Sequence, residues 1–229
     1  MPQRLPLFPL GSVLFPGLVL PLNVFEPRYR RLVQDLVAEE REGLKGFGVV
    51  AIRAGHEVGE GGALALHDVG CVALLREVTE LEDGRYEIVT VGATRFRLLG
   101  LDDEAGTPYL TGLVEPYGED EDDEDDAEDA PVPADVAALA AAVERRFAEY
   151  REQLGIGGAT APADPSVLSY LVAAAAVLPL AERQRLLEAP DTRARLREEL
   201  ALLKRESALI AALGTVPASE LPGGRPNPN

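Results

Sequence analysis

Leu5-Pro6-Leu7-Phe8-Pro9-Leu10, Val13-Leu14-Phe15-Pro16-Gly17 and Leu20-Pro21-Leu22 open the chain. Apolar residues are interleaved here with prolines, which have no backbone N–H to give to a sheet ladder. Leu5 to Leu10 and Leu18 to Phe25 therefore read as short extended segments that sit at sheet edges or start at their prolines. Pro16-Gly17 supplies the turn between them. The same prolines would break an apolar signal helix, so no secretory leader is expected.

Working outward, Pro27 suits the first turn of a helix. Tyr29, Leu32, Val33, Leu36 and Val37 give that helix one apolar face, and Gly43 ends it. Phe47 to Arg53 reads as a strand, Gly55 to Gly62 as a glycine-rich loop, and Val69 to Leu81 as a long strand. Glu82-Asp83-Gly84 is a hairpin turn into Arg85–Val91. Gly92 marks a bulge or bend. Thr94, Phe96 and Leu98 then alternate with Arg95 and Arg97, and Tyr109 to Val114 is the last strand. Several short strands with regular turns predict a closed or nearly closed barrel.

Beyond Pro131 and Pro133 every segment reads as helix. Ala134 to Leu154 is the first, and Asp164-Pro165 caps and starts the second. A short helix through Leu186 and Leu187 follows Pro179. Asp191 or Thr192 then caps a longer helix with a stripe of Leu196, Leu200, Leu203 and Ile210. Val167 to Leu178 is the most apolar helical segment, and it falls short of the ~20 residues that span a bilayer. This divides the chain into a barrel subdomain at 1–117, an acidic disordered linker at 118–133, a helical subdomain at 134–213 and a flexible tail at 214–229.

Charge narrows the possible partners. The 39 acidic and 22 basic residues give a net charge of −17, and residues 119–129 alone hold 10 acids and no base. That run reads as a solvated spacer. An acidic surface repels phosphate, so neither nucleic acid nor an anionic membrane is an expected partner. Cys71 is the only cysteine, which rules out an internal disulfide or a cysteine-rich zinc site and suits a reducing compartment. A cytoplasmic protein is expected.

The proline-punctuated opening resembles the start of Lon protease N-terminal domains. Gly84 to Leu99, GRYEIVTVGATRFRLL, resembles the later strand pair of that domain. Asp164 to Ile210 resembles its helical subdomain, including Leu186-Leu187-Glu188 ahead of an acid-capped long helix. The resemblance implies an α+β fold, a PUA-like β-barrel subdomain followed by a C-terminal helical bundle with a long last helix. It implies engagement of unfolded or degron-bearing polypeptides, with no cofactor. No G-x-x-x-x-G-K-[ST] phosphate loop occurs within these residues, and neither ATP hydrolysis nor proteolysis is expected of them. The expectation is a non-enzymatic binding module, an adaptor or holdase, whose partner is an unfolded polypeptide or a folded protein. The alternative is a nucleic-acid-binding PUA-like module. It would need Arg28, Arg30, Arg31, Arg95 and Arg97 to converge, and the acidic balance counts against it.

The candidate peptide-binding residues are Phe15, Pro16, Phe25 and Tyr29, framing an apolar groove with Phe8 beside an edge strand. A free edge offers backbone donors and acceptors to any extended peptide. The competing reading puts these residues in the barrel core, Phe8 and Phe25 above all. Elsewhere chemistry is weakly signalled. His56-Glu57 has Glu60 where a zinc H-E-x-x-H motif needs histidine, so no metal is expected, and His56 and His67 read as exposed loop residues. Cys71 reads as a small buried apolar side chain. Gly59, Gly61 and Gly62 lack the strand–turn–helix context of a dinucleotide site. Asp102 and Asp103 read as a solvated loop. A hydrolase would need His56 or His67 hydrogen-bonded to a carboxylate in a cleft.

Overall fold

The computed structural model describes residues 2–38, 45–54, 65–118, 132–157 and 160–213. Gly43, the glycine-rich loop with His56, the acidic run 119–129 and the tail from residue 214 lie outside the described residues. Seven strands form one mostly antiparallel sheet: β1 (Gln3–Leu10), β2 (Val19–Val24), β3 (Gly46–Ala54), β4 (Ala65–Leu66), β5 (Val69–Glu80), β6 (Tyr86–Leu101) and β7 (Thr111–Pro116). The helices are α1 (Pro27–Ala38), α2 (Ala134–Gln153), α3 (Pro165–Ala175), α4 (Leu180–Leu187) and α5 (Thr192–Leu213). The fold is α+β, and its last helix is its longest at 22 residues.

The strand order is β1-β7-β6-β5-β3-β4, and β1 also pairs in parallel with β3, so the path returns to its start. β2 branches from β6. This corrects the edge reading of the opening segment. Residues 3–6 of β1 pair with β7, and residues 7–10 pair with β3. Each half has a ladder on one side only, which is how Pro6 and Pro9 are tolerated inside the sheet. Among the described residues β2 and the two-residue β4 each pair on one side only.

Turn chemistry follows the sequence. Gly84 has a φ of 76°, its N–H donates to the Leu81 carbonyl, and Leu81 donates to the Arg85 carbonyl. Beyond this turn, two expected strands are a single 16-residue β6. The interruption is a bulge: Cys71 pairs with Arg95, but Ala73 pairs with Gly92, leaving an extra residue on β6. Glycine is required at 92 because a Cβ there would collide with the backbone carbonyl of Phe15. Its N–H donates to the Leu18 carbonyl, and its own carbonyl accepts from Gly17. The last strand lies two residues later than Tyr109–Val114.

Two clusters cover the sheet's opposite faces. Tyr29, Leu32, Val33 and Leu36 of α1 pack with Phe8, Val49, Cys71 and Ile88. Val37, expected on the same apolar face, is exposed. Leu7, Val50, Phe96 and Val114 form the other cluster. A third core lies among the helices, built on Val143, Phe147, Leu168, Val172, Leu186 and Leu196, and it takes in Phe15 and Val69 from the strand region. Asp164 caps α3 by accepting from the Val167 N–H at 2.9 Å. Asp191 settles the alternative at α5, accepting from the Ala194 N–H at 2.6 Å.

Polar contacts fix helices to sheet. Gln184 donates to the Val69 carbonyl at 2.9 Å, and the Tyr117 hydroxyl donates to the Glu188 carbonyl at 2.7 Å. Arg95 of β6 donates to the Leu187 and Ala189 carbonyls at 3.0 and 2.5 Å.

Candidate functional site

Among the described residues β2 pairs with β6 alone, so its other edge is open. The Leu18 carbonyl faces β6, where it accepts from Gly92. Alternation along an extended strand then turns the backbone of Leu20, Leu22 and Val24 toward β6, and that of Val19, Pro21 and Asn23 toward the open edge. Side chains alternate too. Leu20, Leu22 and Val24 pack onto the α1 cluster, while Val19, Pro21 and Asn23 are exposed. Pro21 has no donor, so the edge presents the N–H groups of Val19 and Asn23 and three carbonyls. A proline in this place hinders pairing between copies of the chain, yet leaves acceptors for an extended ligand.

Two concavities adjoin β2. A cavity of about 80 Å³ at the strand's end is lined by Phe8, Leu10, Leu22, Val24, Phe25 and Tyr29. A groove of about 430 Å³ runs across β2, β6 and β5 over Pro21, Asn23, Glu77, Thr79, Glu87 and Val89. Leu22 and Asn23 line both. Neither Glu77 nor Glu87 has a cation within ion-pairing distance among the described residues.

The four residues expected to bind peptide divide into two pairs. Phe25 and Tyr29 meet in the small cavity. Phe25 is 52% exposed, which corrects its assignment to the core. Val24 takes the inward position, so the next residue turns outward. Tyr29 is almost wholly buried and stacks on Phe8 with ring centroids 4.0 Å apart, and Phe8 is core as expected. Phe15 belongs to the helical core, 1% exposed and 6.3 Å from the Tyr170 ring. Pro16 is half-buried in the turn before β2. Val19, Asn23, Glu77, Glu87 and Val89 were not singled out from the sequence. The usable signal was Pro21, a proline inside an apolar alternating run.

The other candidates carry no chemistry that the geometry supports. His67 is half-buried rather than exposed, and its Nδ1 lies 3.8 Å from a Glu188 carboxylate oxygen, beyond hydrogen-bonding reach. No group of three or more His, Cys, Asp or Glu could hold a metal among the described residues. Cys71 is fully buried. Asp102 pairs with Arg4 at 2.7 Å. Three of the arginines are engaged within the fold: Arg28 pairs with Glu26 and Arg31 with Asp35, both at 2.9 Å, while Arg95 is buried under the end of α4. No helix among the described residues is long and apolar enough to cross a membrane.

A family model for the substrate-binding domain of ATP-dependent protease La (Lon) matches residues 4–205. Lon protease 2 of Myxococcus xanthus is 32% identical over 214 residues, covering 92% of this chain and 24% of that protein. Lon protease of Anaeromyxobacter dehalogenans is 33% identical over 217 residues, with the same coverages of 92% and 24%. The chain thus spans about a quarter of the length of these curated relatives. The crystal structure of a Lon N-terminal domain protein from Xanthomonas campestris superposes with a TM-score of 0.61 at 25% identity, covering 87% of this chain and 98% of that one. The N-terminal domain of the Mycobacterium avium complex Lon protease superposes at 0.60 over 90% of this chain and 98% of that one; at 18% identity it supports the fold alone. From its opening strands to its last helix, the chain belongs to the Lon substrate-binding domain family.

Proposed function

We propose that this chain is a non-enzymatic binding module for unfolded or degron-bearing polypeptides, which dock as an extended strand along the open edge of β2. The observation that carries this reading is that edge, with the exposed Phe25 ring at its end. Main-chain groups hold an extended segment whatever its sequence, and an apolar ligand side chain covers Phe25. The strand region acts as the receptor and the helices as its support. The module works as a cytoplasmic adaptor, in a compartment where a lone thiol stays reduced.

The test is a fluorescence-anisotropy titration with a labelled, permanently unfolded polypeptide at low and high salt. Saturable binding that largely survives salt is the expected result, since apolar burial and main-chain bonds dominate. Covering the exposed half of a phenyl ring contributes about 1 kcal/mol, so Phe25→Ala is expected to weaken binding roughly five-fold. No saturable binding, or full affinity in Phe25→Ala, overturns the proposal. Binding that disappears with salt would indicate a charge-driven ligand instead.

A further inference from the structure

The sheet face that carries the groove beside β2 has two unlike ends. Strand register ranks the side chains of that face in rows: Val19, Val91 and Leu74, next to the groove; then Pro21, Val89 and Glu77, and Asn23, Glu87 and Thr79, which line it. The first row is wholly apolar. The last two each contain a carboxylate that no described cation neutralises. We infer that this face, the groove together with the apolar row next to it, selects polypeptide segments carrying an apolar residue and a lysine or arginine four positions apart on one face of an extended strand. This rests on the polypeptide-binding reading above and names the substrate class of that same site.

The spacing follows from strand geometry. A segment docked on β2 lies roughly 4.8 Å from it and about 10 Å from β6, and side chains of one face recur every second residue. Val19 and Asn23 are four residues apart, so a ligand side chain beside Val19 and another beside Asn23 are also four apart. A lysine or arginine beside Asn23 spans the short, uncharged Asn23 and reaches the Glu87 carboxylate on the next strand. Glu77, one strand further, adds its field across the groove. An apolar residue at the other end covers Val19 and Val91. An acidic ligand side chain would meet Glu87 with no counter-charge. The chain's own net charge of −17 disfavours a second copy as the occupant.

The experiment uses three labelled peptides of one length, alike except for Lys, Gln or Glu four positions from a leucine. Each is titrated into the full chain and into a Glu77→Gln/Glu87→Gln double variant. Both glutamates are exposed, so the isosteric change leaves the fold intact. The lysine peptide is expected to bind roughly two- to five-fold tighter than the glutamine peptide, the range of exposed ion pairs, with the glutamate peptide weakest. The order should flatten in the double variant and at high salt. Equal binding of the lysine and glutamine peptides overturns the inference while the polypeptide reading stands. So does a lysine preference that persists in the double variant, since it would belong to another acidic region such as 119–129. Failure of all three peptides to bind overturns the polypeptide reading, and this inference with it.

Discussion

Arg95→Met is expected to lower the unfolding free energy by about 3–5 kcal/mol, a large share of the ~5–15 kcal/mol that holds a typical domain together. Arg95 lies on β6 but is 1% exposed, because the end of α4 covers it. Its guanidinium donates to the carbonyls of Leu187 and Ala189 at 3.0 and 2.5 Å. Carbonyls at a helix C-terminus have no partner within the helix, and that end carries partial negative charge. One cation answers both needs. It also lies near the Tyr117 and Tyr170 rings, at 5.2 and 6.0 Å. Methionine keeps the apolar stem and removes every donor, so the two buried carbonyls are left unpaired. Arg95→Lys restores charge but not the planar fork, and should recover part of the loss. Urea unfolding measures the total. Hydrogen exchange localises it, with amides of residues 180–189 opening first. A change below about 0.5 kcal/mol would show that Arg95 does not latch the helices to the sheet.

Arg95 also marks where sequence reading stops. Alternation correctly set Arg95 and Arg97 against Phe96 and Leu98. Period-two patterning reports which residues share a face, but not what lies over that face. Arg97 remains half-exposed beside Glu115, whereas two positions earlier the same face passes under α4. The element covering Arg95 begins more than 80 residues later, and no local pattern links them. The helices themselves were legible because their signals are local: Asp164 and Asp191 each cap the helix they precede, and Pro165 and Pro179 set boundaries.

The site was legible in part for the same reason. Pro21 announced an edge, but Pro6 and Pro9 carried the same signal, and they lie in a strand paired on one side and then the other. Only the return of β1 to β3 decides between them, and that parallel pairing joins residues about 40 apart. Phe15 and Phe25 were both groove candidates, with Phe25 the one weighted more toward the core. Phe15 is drawn into the helical core by its contact with Tyr170, a residue far along the chain, while Phe25 has nothing packed over half its surface. Glu77 and Glu87 became neighbours through the β5–β6 ladder, whose register slips between Leu75 and Glu77. Without that slip Glu77 would face α1.

Glu199→Leu is expected to stabilise the protein by about 1–3 kcal/mol near neutral pH, the cost of burying a carboxyl that no hydrogen bond satisfies. Glu199 is 1% exposed on α5, beside Val172, Ala176, Leu178, Leu186, Leu202 and Leu203. Neither carboxylate oxygen has a hydrogen-bond partner among the described residues. Burial pushes its pKa well above the ordinary 4.5; the nearby Arg195 charge opposes that rise and Glu198 adds to it. Arg195 is held elsewhere, donating to Ser169 and Thr192 and lying 3.8 Å from the Tyr170 ring. The sign of the pH dependence follows. Below about 4.5 the carboxyl is protonated in both folded and unfolded chains, and it costs least. As pH rises from there, the unfolded chain releases this proton while the folded chain keeps it, so stability falls until the raised pKa is passed. Wild type should therefore lose stability relative to Glu199→Leu across that window. Net self-repulsion also changes with pH, but it acts on both proteins, so their difference isolates residue 199. Urea midpoints at about pH 4 and about pH 8 supply the comparison. A gap that widens with pH assigns the cost to ionisation of Glu199. A gap of equal size at both values would mean that the leucine improves packing alone and that the buried carboxyl is not a titrating load on the fold.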